Sequence, residues 1–160
     1  MSPRAAELIR QLGLEPHPEG GHFRRVFCSE ETVARCDGST RPALTSIHFL
    51  LAEGEVSRWH RVLSDEAWHF HEGAPLELFL MPPEGGPFSR LLLGPPDGER
   101  LSLRVVPAGW WQAARSLGGF TLAGCSVGPG FDFADFTMLA DFSGRASVLA
   151  KLPPALTGLV

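Results

Sequence analysis

The sequence predicts an all-β barrel or sandwich. Two features of the chain carry that expectation: Gly and Pro punctuate it at short intervals, and the stretches between them are apolar or alternating runs of strand length. A third is that helical periodicity stands out only near the start. Pro3 to Leu12 places Ala5, Leu8, Ile9 and Leu12 at the i, i+3, i+4, i+7 spacing of one helix face, and Gly13 stops it. Strands are then expected over Thr45 to Leu51, Ala67 to Phe70, Leu76 to Met81, Arg90 to Leu93, Leu101 to Val106, Phe120 to Val127 and Phe136 to Leu139. The tail from Leu152 to Val160 contains two prolines and reads as loose.

The chain of 160 residues is 44% hydrophobic and 20% charged, without a break in composition. That suits one domain over 1–160, with an N-terminal helix at 1–11, a core over about 12–142 and a tail at 152–160. A net charge of −4 with scattered basic residues gives no footprint for phosphate backbones, so nucleic acid is not an expected partner. No apolar run approaches the roughly 20 residues that span a bilayer, and MSPRAAELIRQLGL is unlike a secretory signal. A cytoplasmic protein without a membrane partner is expected. Cys28, Cys36 and Cys125 lack C-x-x-C spacing and read as reduced, buried small hydrophobes.

Chemistry concentrates in GEVSRWHRVLSDEAWHFHEG, Gly54 to Gly73. It resembles the cupin pattern G-x5-H-x-H-x3-E-x6-G at Gly54, His60, Glu66 and Gly73, with Val62 at the second His position. VPAGWWQAARS resembles the second cupin pattern, P-x-G-x2-H-x3-N, at Pro107 and Gly109, with Gln112 for His and Ser116 for Asn. Side chains two apart on a strand share a face, so positions 60, 62, 66 and 112 are expected to converge inside the barrel. In metal-binding cupins that convergence supplies imidazoles and a carboxylate to a divalent ion. Valine contributes no ligand and a carboxamide is a weak one, so no tightly held cofactor is expected; a weak divalent metal on His60, Glu66 and Gln112 is the alternative. Without metal, His60 is a candidate general base or hydrogen-bond donor, and Glu66 is its expected neighbour. Glu66 precedes an apolar run and needs a partner, for which His60 and Arg61 are near in sequence.

Further blocks, PHPEGGHFRR at Pro16 to Arg25, TSIHFLL at Thr45 to Leu51 and GCSVGPGFDFADF at Gly124 to Phe136, make the resemblance specific. Together with the two motifs they closely resemble the cupin 5, or DUF985, branch of the cupin superfamily, from about Leu12 to Leu139. The resemblance implies a cupin double-stranded β-helix, a jelly-roll barrel assembled as a homodimer. Its fold relatives are the sugar-nucleotide 3,5-epimerases, plant storage proteins and auxin-binding protein. Where such relatives usually carry Tyr, this chain has His22, His48 and His71, and Arg25 stands where Glu is usual. The epimerase analogy makes His60 a base oriented by an acid, with Asp132 and Asp135 as candidates; both also read as turn caps beside Phe131, Phe133 and Phe136.

Trp59, Trp68 and Trp110 lie in or beside the motifs, and alternation from Glu66 points Trp68 and Phe70 inward and His69 and His71 outward. With His48, Gln112 and Asp132 they form the expected ligand-binding set around His60 and Glu66. The leading functional expectation is a small, partly apolar or sugar-like ligand bound in the barrel, with isomerase-like proton transfer at His60. A metal-dependent oxygenase or isomerase, and a storage-type dimer without chemistry, are the other two.

Overall fold

The computed structural model describes residues 1–160. Helix α1 (Pro3–Leu12) is capped by Ser2, whose hydroxyl accepts the Ala5 N–H at 3.1 Å, and it ends at Gly13. Thirteen strands follow: β1 (Glu15–Pro16), β2 (His22–Cys28), β3 (Thr32–Ala34), β4 (Thr40–Pro42), β5 (Thr45–Ala52), β6 (Val56–Val62), β7 (Asp65–Gly73), β8 (Leu76–Met81), β9 (Ser89–Leu93), β10 (Leu103–Val106), β11 (Trp111–Ser116), β12 (Phe120–Gly128) and β13 (Phe136–Met138). Two short helices, α2 (Arg145–Leu149) and α3 (Pro154–Thr157), close the chain. No helix is long and apolar enough to cross a membrane.

The strands form a six-stranded sheet in the order β1-β2-β5-β12-β7-β10 and a five-stranded sheet in the order β13-β6-β11-β8-β9, with β3 and β4 as a separate hairpin. This is a jelly roll, and all ten strand pairs outside a single parallel bridge are antiparallel. The core between the sheets takes Phe49, Leu51, Trp68, Ala123 and Cys125 from one side and Leu76, Leu78, Leu80 and Ala114 from the other.

Both sheets are also covered outside. Helix α1 lays Ala5 and Leu8 against Leu50, Ala52 and Leu122 of the six-stranded sheet. On the other side Val148, Leu152, Leu156 and Leu159 cover Trp59, Phe79, Met81, Trp111 and Ala113. Strand β8 is therefore buried along its whole length, which is why its sequence LELFLM reads as a nearly continuous apolar run.

The tail corrects the sequence expectation. Leu152, Leu156 and Leu159 are buried, and Leu159 accepts the Trp59 backbone N–H at 2.8 Å. Two prolines suggest a loose end; here Pro154 instead starts α3, where its missing N–H costs nothing. Of the cysteines, Cys125 is buried as expected, whereas Cys28 and Cys36 are exposed.

Candidate functional site

Strand β6 points His60 and Val62 into the barrel and Trp59 out of it, because side chains alternate along a strand. The antiparallel partner β11 places Gln112 directly opposite His60. Glu66, on β7 of the facing sheet, completes the convergence that the motif spacing predicts. Gln112 Nε2 donates to Glu66 Oε2 at 2.6 Å, and Trp68 Nε1 donates to Gln112 Oε1 at 3.0 Å. Because an indole N–H can only donate, this chain fixes the amide orientation and directs the Gln112 NH2 to Glu66. All three groups are buried, and the buried carboxylate is satisfied by a carboxamide rather than by Arg61. Arg61 lies on the other face, with its guanidinium 4.7 Å from the centroid of a Trp111 ring.

A cavity of about 640 Å³ opens beside His60. Its walls include Phe23, Phe49, Trp68, Phe131 and Phe133, and its polar lining includes His17, Glu19, His60, Glu66 and Asp132. Aromatic walls around a few convergent polar groups describe a small-molecule site.

His17 and Glu19 come from the PHPEGG segment, which sequence reasoning used only as a family mark. The segment crosses β6: Arg58 N–H donates to the Glu19 carbonyl at 2.8 Å. Gly20, at φ +109°, makes the crossing possible, since a Cβ there would lie 2.1 Å from the Val56 carbonyl oxygen. The result brings Glu19 Oε2 to 3.2 Å from His60 Nε2 and 3.4 Å from His17 Nδ1, while Ser57 Oγ donates to Glu19 Oε1 at 2.8 Å. A signal was present in the sequence, namely an H-x-E pair ahead of two glycines, but nothing in its spacing relates it to residue 60.

Burial dominates the electrostatics. It pushes the His60 and His17 imidazoles below their ordinary range and the Glu19 and Glu66 carboxyls above theirs. The Cys125 thiol is likewise held well above its usual value by burial.

Other expected site residues lie elsewhere. Trp59 packs in the cluster beneath the C-terminal helices, on the opposite face from the cavity. His48 also faces outward, with its ring centroid 5.9 Å from that of His71. Phe70 points inward as expected, but it and Trp110 pack against the main core and do not line the cavity. Asp132 does line the cavity, while its carboxylate accepts the Ala134 N–H at 2.8 Å as a turn cap. Asp135 is paired with Arg41 at 2.9 Å. Neither aspartate is paired with His60; the carboxyl beside its Nε2 is that of Glu19.

The donor set does not fit a divalent metal. At the three motif positions beside Glu66, His60 offers a single nitrogen, Nε2, turned to Glu19 at 3.2 Å, the Gln112 oxygen is taken by Trp68, and Val62 is apolar. No three His, Cys, Asp or Glu side chains are arranged to hold an ion.

The family described as Cupin superfamily (DUF985) matches residues 6–139. A hypothetical protein from Leishmania major is 30% identical with a TM-score of 0.78, the match covering 92% of this chain and 97% of that one. A protein from Shewanella oneidensis is 35% identical with a TM-score of 0.77, covering 94% and 98% respectively. Oxalate decarboxylase from Bacillus subtilis, at 19% identity and a TM-score of 0.58 over 91% of this chain and 34% of that one, shares the fold. No curated protein matches the sequence.

Proposed function

Because this chain belongs to the DUF985 family of the cupin superfamily, we propose that it acts inside its barrel, binding a small, partly apolar or sugar-like molecule and moving a proton at His60 and its partner. The observation that carries this reading is the 3.2 Å contact between His60 and Glu19 on the wall of an aromatic cavity. An imidazole and a carboxyl held together away from water are the parts that isomerase-like proton transfer needs. Fold alone would not license this, because one fold hosts many chemistries.

Thermal-shift screening with nucleotide sugars, 2-oxo acids and indole-like acids tests the binding step, since a ligand of the folded state raises its stability. The expected result is a reproducible shift that is lost in His60→Gln. Shifts that survive that substitution, or none across the three classes, overturn the reading.

The reading extends to two surroundings. Exposed Cys28 and Cys36, free of disulfides, suit the reducing cytoplasm. A second copy of the chain is the proposed partner, seated on the half of the six-stranded sheet that α1 leaves uncovered, where Leu103 and Val105 are 44% and 49% exposed. Sedimentation equilibrium gives twice the 17.3 kDa chain mass if the pair forms, and Val105→Glu returns it to the single mass; a single mass for the unmodified protein overturns it.

A further inference from the structure

The cavity holds two buried carboxyls whose hydrogen-bond partners differ in kind. Around Glu19 Oε2 the partners carry lone pairs. His60 Nδ1 lies 2.7 Å from the Arg58 carbonyl, which can only accept, so Nδ1 holds the ring hydrogen and Nε2 of the neutral ring is bare. His17 Nδ1 accepts the Glu19 backbone N–H at 3.2 Å, so it too presents a lone pair. Glu19 Oε2 thus sits 3.2 Å and 3.4 Å from two acceptor nitrogens. An ionised Oε2 there would meet two lone pairs and no N–H donor. A carboxylic acid O–H on Oε2, donated to His60 Nε2, satisfies both groups, and the Ser57 hydroxyl then donates to the remaining carbonyl oxygen Oε1.

Around Glu66 the partner is a donor. The Gln112 NH2 reaches Oε2 at 2.6 Å, in an orientation fixed by Trp68. That environment fits an ionised carboxylate.

We propose that Glu19 and Glu66 rest in opposite protonation states, Glu19 as a neutral acid and Glu66 as a carboxylate, so that the cavity offers a proton donor and a proton acceptor to a carbonyl compound with an acidic neighbouring C–H. The inference rests on the reading of the cavity as the ligand site and names its substrate class. Burial raises both carboxyls; what distinguishes them is the amide N–H donor on Glu66 Oε2, where Glu19 Oε2 meets two ring nitrogens.

The step balances without an oxidant. Glu66 takes the proton from the carbon beside the carbonyl, and the C–H electron pair becomes the C=C bond of an enol. The carbonyl π pair moves to its oxygen, which takes the Glu19 proton. Reversal returns the Glu66 proton to the same face of the carbon and the enol O–H proton to Glu19, restoring both groups. The proton that Glu19 gives up lies on its hydrogen bond to His60 Nε2, so the transfer takes place at the His60–Glu19 contact.

Infrared difference spectra at neutral pH test the resting state without any ligand. Wild type minus Glu19→Gln is expected to show a carboxylic acid C=O band, and wild type minus Glu66→Gln a pair of carboxylate bands. Nitrogen-15 spectra of the wild-type histidines need no variant: His60 should show a hydrogen-bearing Nδ1 and a bare, hydrogen-bonded Nε2. Carboxylate bands for Glu19, or a doubly protonated His60, overturn the assignment while leaving ligand binding untouched. For the substrate class the probe is phenylpyruvate in D2O, whose C3 hydrogens should exchange faster with wild-type protein than in buffer. Glu66→Gln and Glu19→Gln should each slow that exchange at least tenfold. Exchange no faster than buffer, or equal in the variants, overturns the carbonyl assignment; phenylpyruvate binding without exchange overturns it while sparing the ligand-site reading.

Discussion

Trp59 donates its indole N–H to the main-chain carbonyl of Leu156 at 3.1 Å, across the outer face of the five-stranded sheet. The bond ties the last helix to the strand that carries His60. Shortening the chain after Leu152 removes the burial of Leu156 and Leu159, each worth about 1.5–3 kcal/mol. It also leaves the Trp59 N–H unpaired. Chemical denaturation should show a loss of at least about 3 kcal/mol; a tail that contributes nothing would leave the midpoint unchanged.

Gln112 is the link between an indole donor and a buried carboxylate. Replacing it by Leu keeps much of the volume but strands both partners. The expected cost is about 2–5 kcal/mol, well above that of an ordinary volume-conserving swap. Urea unfolding of Gln112→Leu measures it, and a cost under about 1 kcal/mol would mean that Glu66 has found another donor.

Gly20 is where the PHPEGG crossing touches β6. Gly20→Ala forces a methyl group against the Val56 carbonyl at a φ of +109°. Stability should fall by more than about 1 kcal/mol. The more telling expectation is that the His60 nitrogen-15 spectrum changes as Glu19 lifts away, which a purely local backbone effect would not produce.

The pH dependence has a definite sign. Burial raises the Glu19 carboxyl above its ordinary value of 4.5. Stability from that shift is therefore full below pH 4.5 and is lost as pH rises through the folded-state value, by up to about 1.4 kcal/mol per pH unit. His60 and His17 pull the other way: their depressed values give stability that is present above 6.5 and lost as pH falls. Gln cannot titrate, so Glu19→Gln should gain on wild type as pH rises from 4.5, with His17, His60, Glu66 and Arg58 common to both. Parallel stability curves would show that Glu19 is ordinary.

Much of the barrel was legible because its central strands are buried on both faces. β5, β8 and β12 announce themselves as apolar runs, and their spans agree with expectation to within a residue or so. β2, with the sequence HFRRVFC, did not, since its charged side chains reach the rim and outer surface and obscure the alternation. His60, Glu66 and Gln112 were legible through motif spacing, and they do converge. Glu19 was not, because its arrival depends on a long-range crossing that one glycine conformation permits. The outward positions of Trp59 and His48 are consequences of strand alternation, which outweighs their nearness to the motifs. In the tail the prolines obscured the spacing of Leu152, Leu156 and Leu159, which covers the sheet.

Trp59 and His60 are neighbours on one strand, yet one belongs to the chain's end and the other to its interior chamber. The wall between them is a single layer of backbone. A ligand that displaces β6 by a fraction of an ångström must also disturb the environment of the indole behind it. Trp59 is thereby a built-in optical reporter, and a purification tag fused after Val160 would sit on its blind side, close enough to alter what it reports.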